Sequence, residues 1–183
     1  MGYIGNLQMT NAHLHNNGYI NNTQMNGNSS AVNNGAMNNT AMYGNSTAVN
    51  NGSMNNLAMT DNTFASNNGF ANNVDMNAFN GDTVKFNNNG QVNNLDVDVF
   101  SPANNGFAFV NNAGNMNNVS LTDNVPVPPP PAARPDYIGF TNSGNVNNMQ
   151  AQTFGAGQID IFNQQSGSIW NLGANGNVGI WNG

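Results

Sequence analysis

The chain has 183 residues, a net charge of −6 and only 5% charged residues, against about a quarter in ordinary globular proteins. It has no glutamate and no cysteine, and its only cations are Lys85 and Arg134, too few to neutralise a nucleic-acid backbone. No run of 18 apolar residues is present, which excludes a transmembrane helix and membrane insertion through one, and Met1–Thr10 shows no basic segment leading into an apolar one.

Asparagine supplies 46 residues, about a quarter of the chain. Such a bias with so little charge favours stacked β-structure over charge-driven disorder, because stacked amides hydrogen-bond along a ladder whereas stacked like charges repel. Low helix propensity of Asn and Gly argues against helices over any window.

In chain order, an internal repeat appears almost at once. Asn-Asn-Gly begins at Asn16, Asn33, Asn50 and Asn67, and a second Asn-Asn pair begins at Asn21, Asn38, Asn55 and Asn72, each series spaced by 17 residues. A longer step leads to Asn88, Gly90 and Asn93. The repeated unit reads N-x-G-x-x-N-x-φ-x-φ, with glycines at Gly18, Gly35, Gly52, Gly69 and Gly90. Asn104/Gly106 with Asn117/Val119/Leu121 reads as one coil widened by an insertion, and Asn142, Gly144 and Asn147 form a further copy. Repeats of this length point to a stacked architecture in which neighbours bury each other's cores.

Within a unit the hydrophobic period is two. Val84, Phe86 and Asn88 share one face and Lys85 and Asn87 the other; Leu95, Val97 and Val99 point in, Asp96 and Asp98 out. That alternation marks half-buried strands. Val32, Val49 and Met54 fall on the opposite parity, which leaves them exposed or against a second surface. Each unit is expected to hold two short strands, with Gly and the two residues after it forming one turn through a positive φ. A segment such as Thr60-Asp61-Asn62 forms the other turn, where Asp and Asn bond their own backbone. The methionines recur every 17 residues, not every three or four, and are read as core filling.

The expected organisation is solenoid repeats over 1–124, a proline-rich spacer over 125–136 and further coils over 137–183. Four consecutive prolines, Pro128 to Pro131, favour extended polyproline II and cannot join a central ladder. Beyond them Ile161-Phe162-Asn163, Ile169-Trp170-Asn171 and Ile180-Trp181-Asn182 are near copies. Their outward Phe162, Trp170 and Trp181 form a candidate contact strip, exposed or packed against another subunit.

The layout φ-x-φ-x-N-x-G-x-x-N-x-φ, carried by Ile138, Phe140, Asn142, Gly144, Asn147 and Met149 and again by Ala48, Asn50, Gly52, Asn55 and Leu57, resembles the repeat of curli-type amyloid subunits. Asn stands here where that family has its first Gln, its closing Gln is not regular, and the 17-residue period is shorter. The resemblance implies an all-β fold, a β-solenoid of two-strand coils with inward Asn ladders. It also implies stacking end to end into an extracellular fibre of a biofilm matrix or surface scaffold.

Little in the chain points to chemistry. His13 and His15 share a strand face, and Asp96 and Asp98, with Asp75, Asp82 or Asp123, are conceivable calcium ligands. Exposed histidines and solvated outward carboxylates are the favoured readings of both sets. No phosphate loop, catalytic set, metal site or cofactor site is read, so the chain is expected not to be an enzyme. Its expected partner is a further copy of itself, head to tail, since no charged cap is visible at either end, with a nucleator or surface anchor as a further partner. The alternative is a phage or cell-surface fibre module, an adhesin that binds glycans through the C-terminal aromatics.

Overall fold

A computed structural model describes residues 2–79, 81–100, 106–124 and 135–183. Nearly all of the expected proline-rich spacer, and Asn104, lie outside the described residues. The described chain is all-β: β1 (Tyr3–Thr10), β2 (His13–Asn16), β3 (Tyr19–Asn26), β4 (Ser30–Asn33), β5 (Ala36–Met42), β6 (Thr47–Asn50), β7 (Ser53–Thr60), β8 (Phe64–Asn67), β9 (Phe70–Phe79), β10 (Thr83–Asn88), β11 (Gln91–Phe100), β12 (Phe107–Asn112), β13 (Asn115–Asn124), β14 (Tyr137–Asn142), β15 (Asn145–Phe154), β16 (Gln158–Asn163), β17 (Ser168–Asn175) and β18 (Val178–Asn182). The odd-numbered strands form one nine-stranded sheet and the even-numbered strands a second, each in simple sequential order. Every pairing is parallel and in register. The fold is therefore a β-solenoid with two strands per coil. The pairing of β12 with β14 and of β13 with β15 carries both sheets past the proline-rich stretch.

Inward residues stack in columns. Met9, Met25, Met42, Met59 and Met76 are successive register partners, and all are buried. In the second sheet Ala31, Ala48 and Ala65 form a column of small buried side chains. From β10 onward the balance reverses. Phe86, Val110, Phe140 and Ile161 take the alanine column, while Val97, Leu121 and Ala151 follow the methionines. The second-sheet strands also grow from four residues to six, adding an inward rung of Val84, Ala108, Ile138 and Ile159. The period lengthens accordingly, from 17 residues between Asn50 and Asn67 to 21 between Asn67 and Asn88.

The odd parity of Met54 has a simple cause. Along β7 the pattern runs buried Met54, outward Asn55 and Asn56, buried Leu57. Two consecutive asparagines face out, the strand bends there, and the inward phase resets, so Met54 is core. Val32 and Val49 are half-buried on the outer side of the second sheet.

The turn after each short strand differs from its expected form. It comprises Asn17-Gly18 and its equivalents, and the next strand resumes immediately after the glycine. These glycines do not have positive φ. They are required by packing: a Cβ on Gly35, Gly52, Gly69 or Gly90 would overlap the carbonyl oxygen of the glycine one coil before it. Positive φ belongs to the other turn, at Gly27, Gly44, Asp61 and Asn62, where glycine and short polar side chains tolerate the left-handed region.

Candidate functional site

The distinguishing chemistry of the solenoid is its amide ladders. The first asparagine of each repeat points inward at the end of the short strand. Asn16, Asn33, Asn50, Asn67, Asn88, Asn112 and Asn142 are all buried. The Nδ2 of each donates to the Oδ1 of the next, at 2.8 Å for Asn16 to Asn33, Asn33 to Asn50 and Asn50 to Asn67, and 2.9 Å for Asn67 to Asn88. The ladder continues through Asn112, Asn142 and Asn163 at 2.8 Å each and reaches Asn182 at 3.3 Å. The second N–H of each amide serves the tight turn, as when Asn50 donates to the carbonyl of Phe70 at 2.9 Å and Asn67 to that of Gln91 at 3.0 Å. One short side chain thus ties its coil to the next and also donates to a carbonyl at the start of the strand that follows the turn.

The second asparagine position was expected inward and is not. Asn21, Asn38, Asn55, Asn72, Asn93 and Asn147 lie on the outer surface of the first sheet, exposed or half-buried. They still form a ladder: Asn38 donates to Asn21 and Asn55 to Asn38, both at 2.9 Å, and Asn147 donates to Asn117 at 3.0 Å. The outward placement follows from the bend, which turns two successive side chains away from the core.

Sequence reasoning missed two further rows. Asn6, Asn22, Asn39, Asn56, Asn73, Asn94, Asn118, Asn148 and Asn171 supply one rung in every coil, at 2.6 to 3.0 Å. Asn17, Asn34, Asn51, Asn68 and Asn89 form another beside the turn glycines. The signal was present as the second member of each Asn-Asn pair. In the widened coil it is Asn112 and Gly114, not Asn104 and Gly106, that fill the ladder and turn positions, the extra residues falling in the chain between β11 and β12.

The ladders have direction. In the inner ladder Nδ2 points toward the C-terminal coil; in the outer rows it points toward the N-terminal coil. Core side chains are partly uncovered at both faces of the stack: Ile4 is 41% exposed at one, and Leu172 and Ile180 are 36% and 43% exposed at the other.

The expected aromatic strip is divided. Phe162 and Trp181 are register partners on the second sheet and stack with centroids 4.7 Å apart. Trp170 lies on β17 in the first sheet, 76% exposed, and is not part of that stack.

Among the described residues no three His or acidic side chains are grouped so as to hold a metal ion. Asp75, Asp96 and Asp98 lie together on the outer face of the first sheet. Partial burial, and then the neighbouring carboxylates, raise the pKa of Asp75 and Asp98. His13 contacts Ser30 through Nδ1. Asp123 is different, being fully buried next to the end of β13. Burial and then the carboxylate of Asp136 push its pKa up to about 7. The nearby Gln158 N–H tempers that shift electrostatically, but its hydrogen bond goes to the carbonyl oxygen of Asp136 at 3.1 Å.

No protein-family model, curated protein or solved structure matches the chain.

Proposed function

We propose that this chain is a self-assembling structural subunit of an amyloid-like, curli-like fibre, acting outside the cell in a biofilm matrix or surface scaffold and performing no catalysis. The observation that carries the reading is the complementarity of the two coil faces. One more step of the same register would set Ile4 on Ile169, Leu7 on Leu172, Leu14 on Ile180 and Asn16 on Asn182. Each apolar column would meet an apolar residue and the inner amide column an amide. The direction of the ladders supports head-to-tail contact. The Nδ2 of Asn182 would donate to Asn16 of the next copy, and Asn6 of that copy would donate back to Asn171. Two like faces would bring donor against donor. Unpaired strand edges and open core columns favour such non-closing association. A nucleator or surface anchor would be a further partner.

Negative-stain electron microscopy with fibre diffraction of the purified chain tests this. Unbranched filaments with an axial repeat of ~4.7–4.8 Å are expected. Discrete particles at all concentrations would refute it; glycan binding by such particles would favour the adhesin reading.

A further inference from the structure

The repeat that builds the ladders is also the sequence most prone to a spontaneous reaction. In Asn-Gly the backbone nitrogen of glycine attacks the Cγ of the preceding asparagine. The new N–Cγ bond forms as the Cγ–Nδ2 bond breaks and ammonia leaves, giving a five-membered succinimide. Water then opens the ring at either carbonyl, leaving aspartate or isoaspartate. Glycine favours the attack because it has no Cβ to hinder its nitrogen. Reaction requires that nitrogen to be free and the side chain to swing over it.

The fold denies both conditions to most of the Asn-Gly pairs that it describes. The N–H groups of Gly35, Gly52, Gly69 and Gly90 each donate to a carbonyl one coil away at 3.1 Å, and the Gly18 N–H donates to Asn16 Oδ1 at 3.0 Å. The side chains of Asn17, Asn34, Asn51, Asn68 and Asn89 are held to one another at 2.9 to 3.0 Å. At Asn182-Gly183 the glycine N–H donates to the Asn163 carbonyl at 3.0 Å, and the Asn182 amide accepts from Asn163.

Asn175-Gly176 is built otherwise. It joins β17 to β18, Asn175 is exposed, and Gly176 has a φ of 88°. Among the described residues no hydrogen bond holds the Gly176 N–H or the Asn175 side chain. Asn26-Gly27 is intermediate: Gly27 also has positive φ, but Asn26 is half-buried and its amide reaches the Met9 carbonyl at 3.5 Å.

We infer that Asn175 is a site of spontaneous deamidation in the folded protein, and that the stacked ladder withholds the chemically equivalent Asn17, Asn34, Asn51, Asn68 and Asn89 from the same reaction. The protection matters to the architecture. Conversion of successive rungs would place carboxylates one strand spacing apart, ~4.8 Å, where like charges destabilise the pairing. At Asn175 it adds a single charge or a backbone kink at an exposed turn, which the stack tolerates. This inference is made, and tested, for the monomeric chain, in which β17 is an open edge, and it does not rest on fibre formation.

The test is a time course of the intact, monomeric chain at mildly alkaline pH, folded and in concentrated urea, with peptide mapping by mass spectrometry that separates aspartate from isoaspartate. In the folded sample Asn175 should convert first, Asn26 more slowly, and the five ladder asparagines at least tenfold more slowly than Asn175. In urea all of them should convert at similar rates. Equal rates for Asn175 and the ladder positions in the folded sample, or ladder rates unchanged by urea, would overturn the inference. The Asn175→Gln variant, carried in parallel, should lose only the early product and keep the protection of the ladder.

Discussion

The inner and outer ladders use the same side chain, so their separate worth can be measured by single substitutions within one coil. Asn50→Ala removes a buried amide that donates to Asn67 Oδ1 at 2.8 Å and to the Phe70 carbonyl at 2.9 Å, and that accepts from Asn33 at 2.8 Å. Two acceptors and one donor lose that partner in the interior, although Asn33 keeps its second bond, to the Ser53 carbonyl at 3.0 Å. An unsatisfied buried group costs about 1–3 kcal/mol. With some relaxation, the expected loss is about 3–5 kcal/mol for the coil. Asn55→Ala removes bonds of similar length, to Asn38 at 2.9 Å and from Asn72 at 3.0 Å, but on the surface. Water replaces them there, and the loss should be about 0.5–1 kcal/mol. Urea unfolding of each variant, under conditions that keep the chain monomeric, reads both values. Equal losses, or a loss below about 1 kcal/mol for Asn50→Ala, would refute the assignment of structural weight to the inner ladder.

Gly69→Ala should be strongly destabilising, by more than the ~1 kcal/mol that an ordinary conformational effect gives, because its Cβ would overlap the Gly52 carbonyl oxygen; thermal unfolding measures this. Met59→Ala should cost about 2–5 kcal/mol and Met59→Leu less than about 1.5 kcal/mol, since Met59 is fully buried between Met42 and Met76; similar losses would argue against close packing of that column. The pH dependence of stability should carry the mark of Asp123. Its folded pKa is raised to about 7, so below that value the native state holds a proton that the unfolded chain has released above ~3.9. Stability should therefore be greatest below about pH 4, fall as pH rises toward about 7, and level off beyond. Asp123→Asn should flatten the slope in a pH series of urea midpoints, and an unchanged slope would assign it to another group.

Much of the architecture could be read along the chain. The 17-residue spacing of Asn-Asn-Gly, with the two-residue alternation of Val84-Lys85-Phe86 and Leu95-Asp96-Val97, determined a stack of two-strand coils, its inner amide column and its methionine core. These features are local or strictly periodic, and each coil meets only neighbours of like sequence. What the tertiary structure decided was the facing of residues beside a break in that period. The bend at the second Asn-Asn pair of each repeat, as at Asn55-Asn56, turns both amides outward and returns Met54 to the core, an effect invisible to a count that assumes unbroken alternation. The turn glycines were legible as glycines but not for the right reason, because the clash that demands them comes from the coil below and not from their own φ. Likewise Phe162, Trp170 and Trp181 sit in near-identical tripeptides, yet Trp170 belongs to the other sheet. Identical words in the sequence acquire different neighbours once the chain has been wound, since which sheet a strand joins depends on where the turns fall.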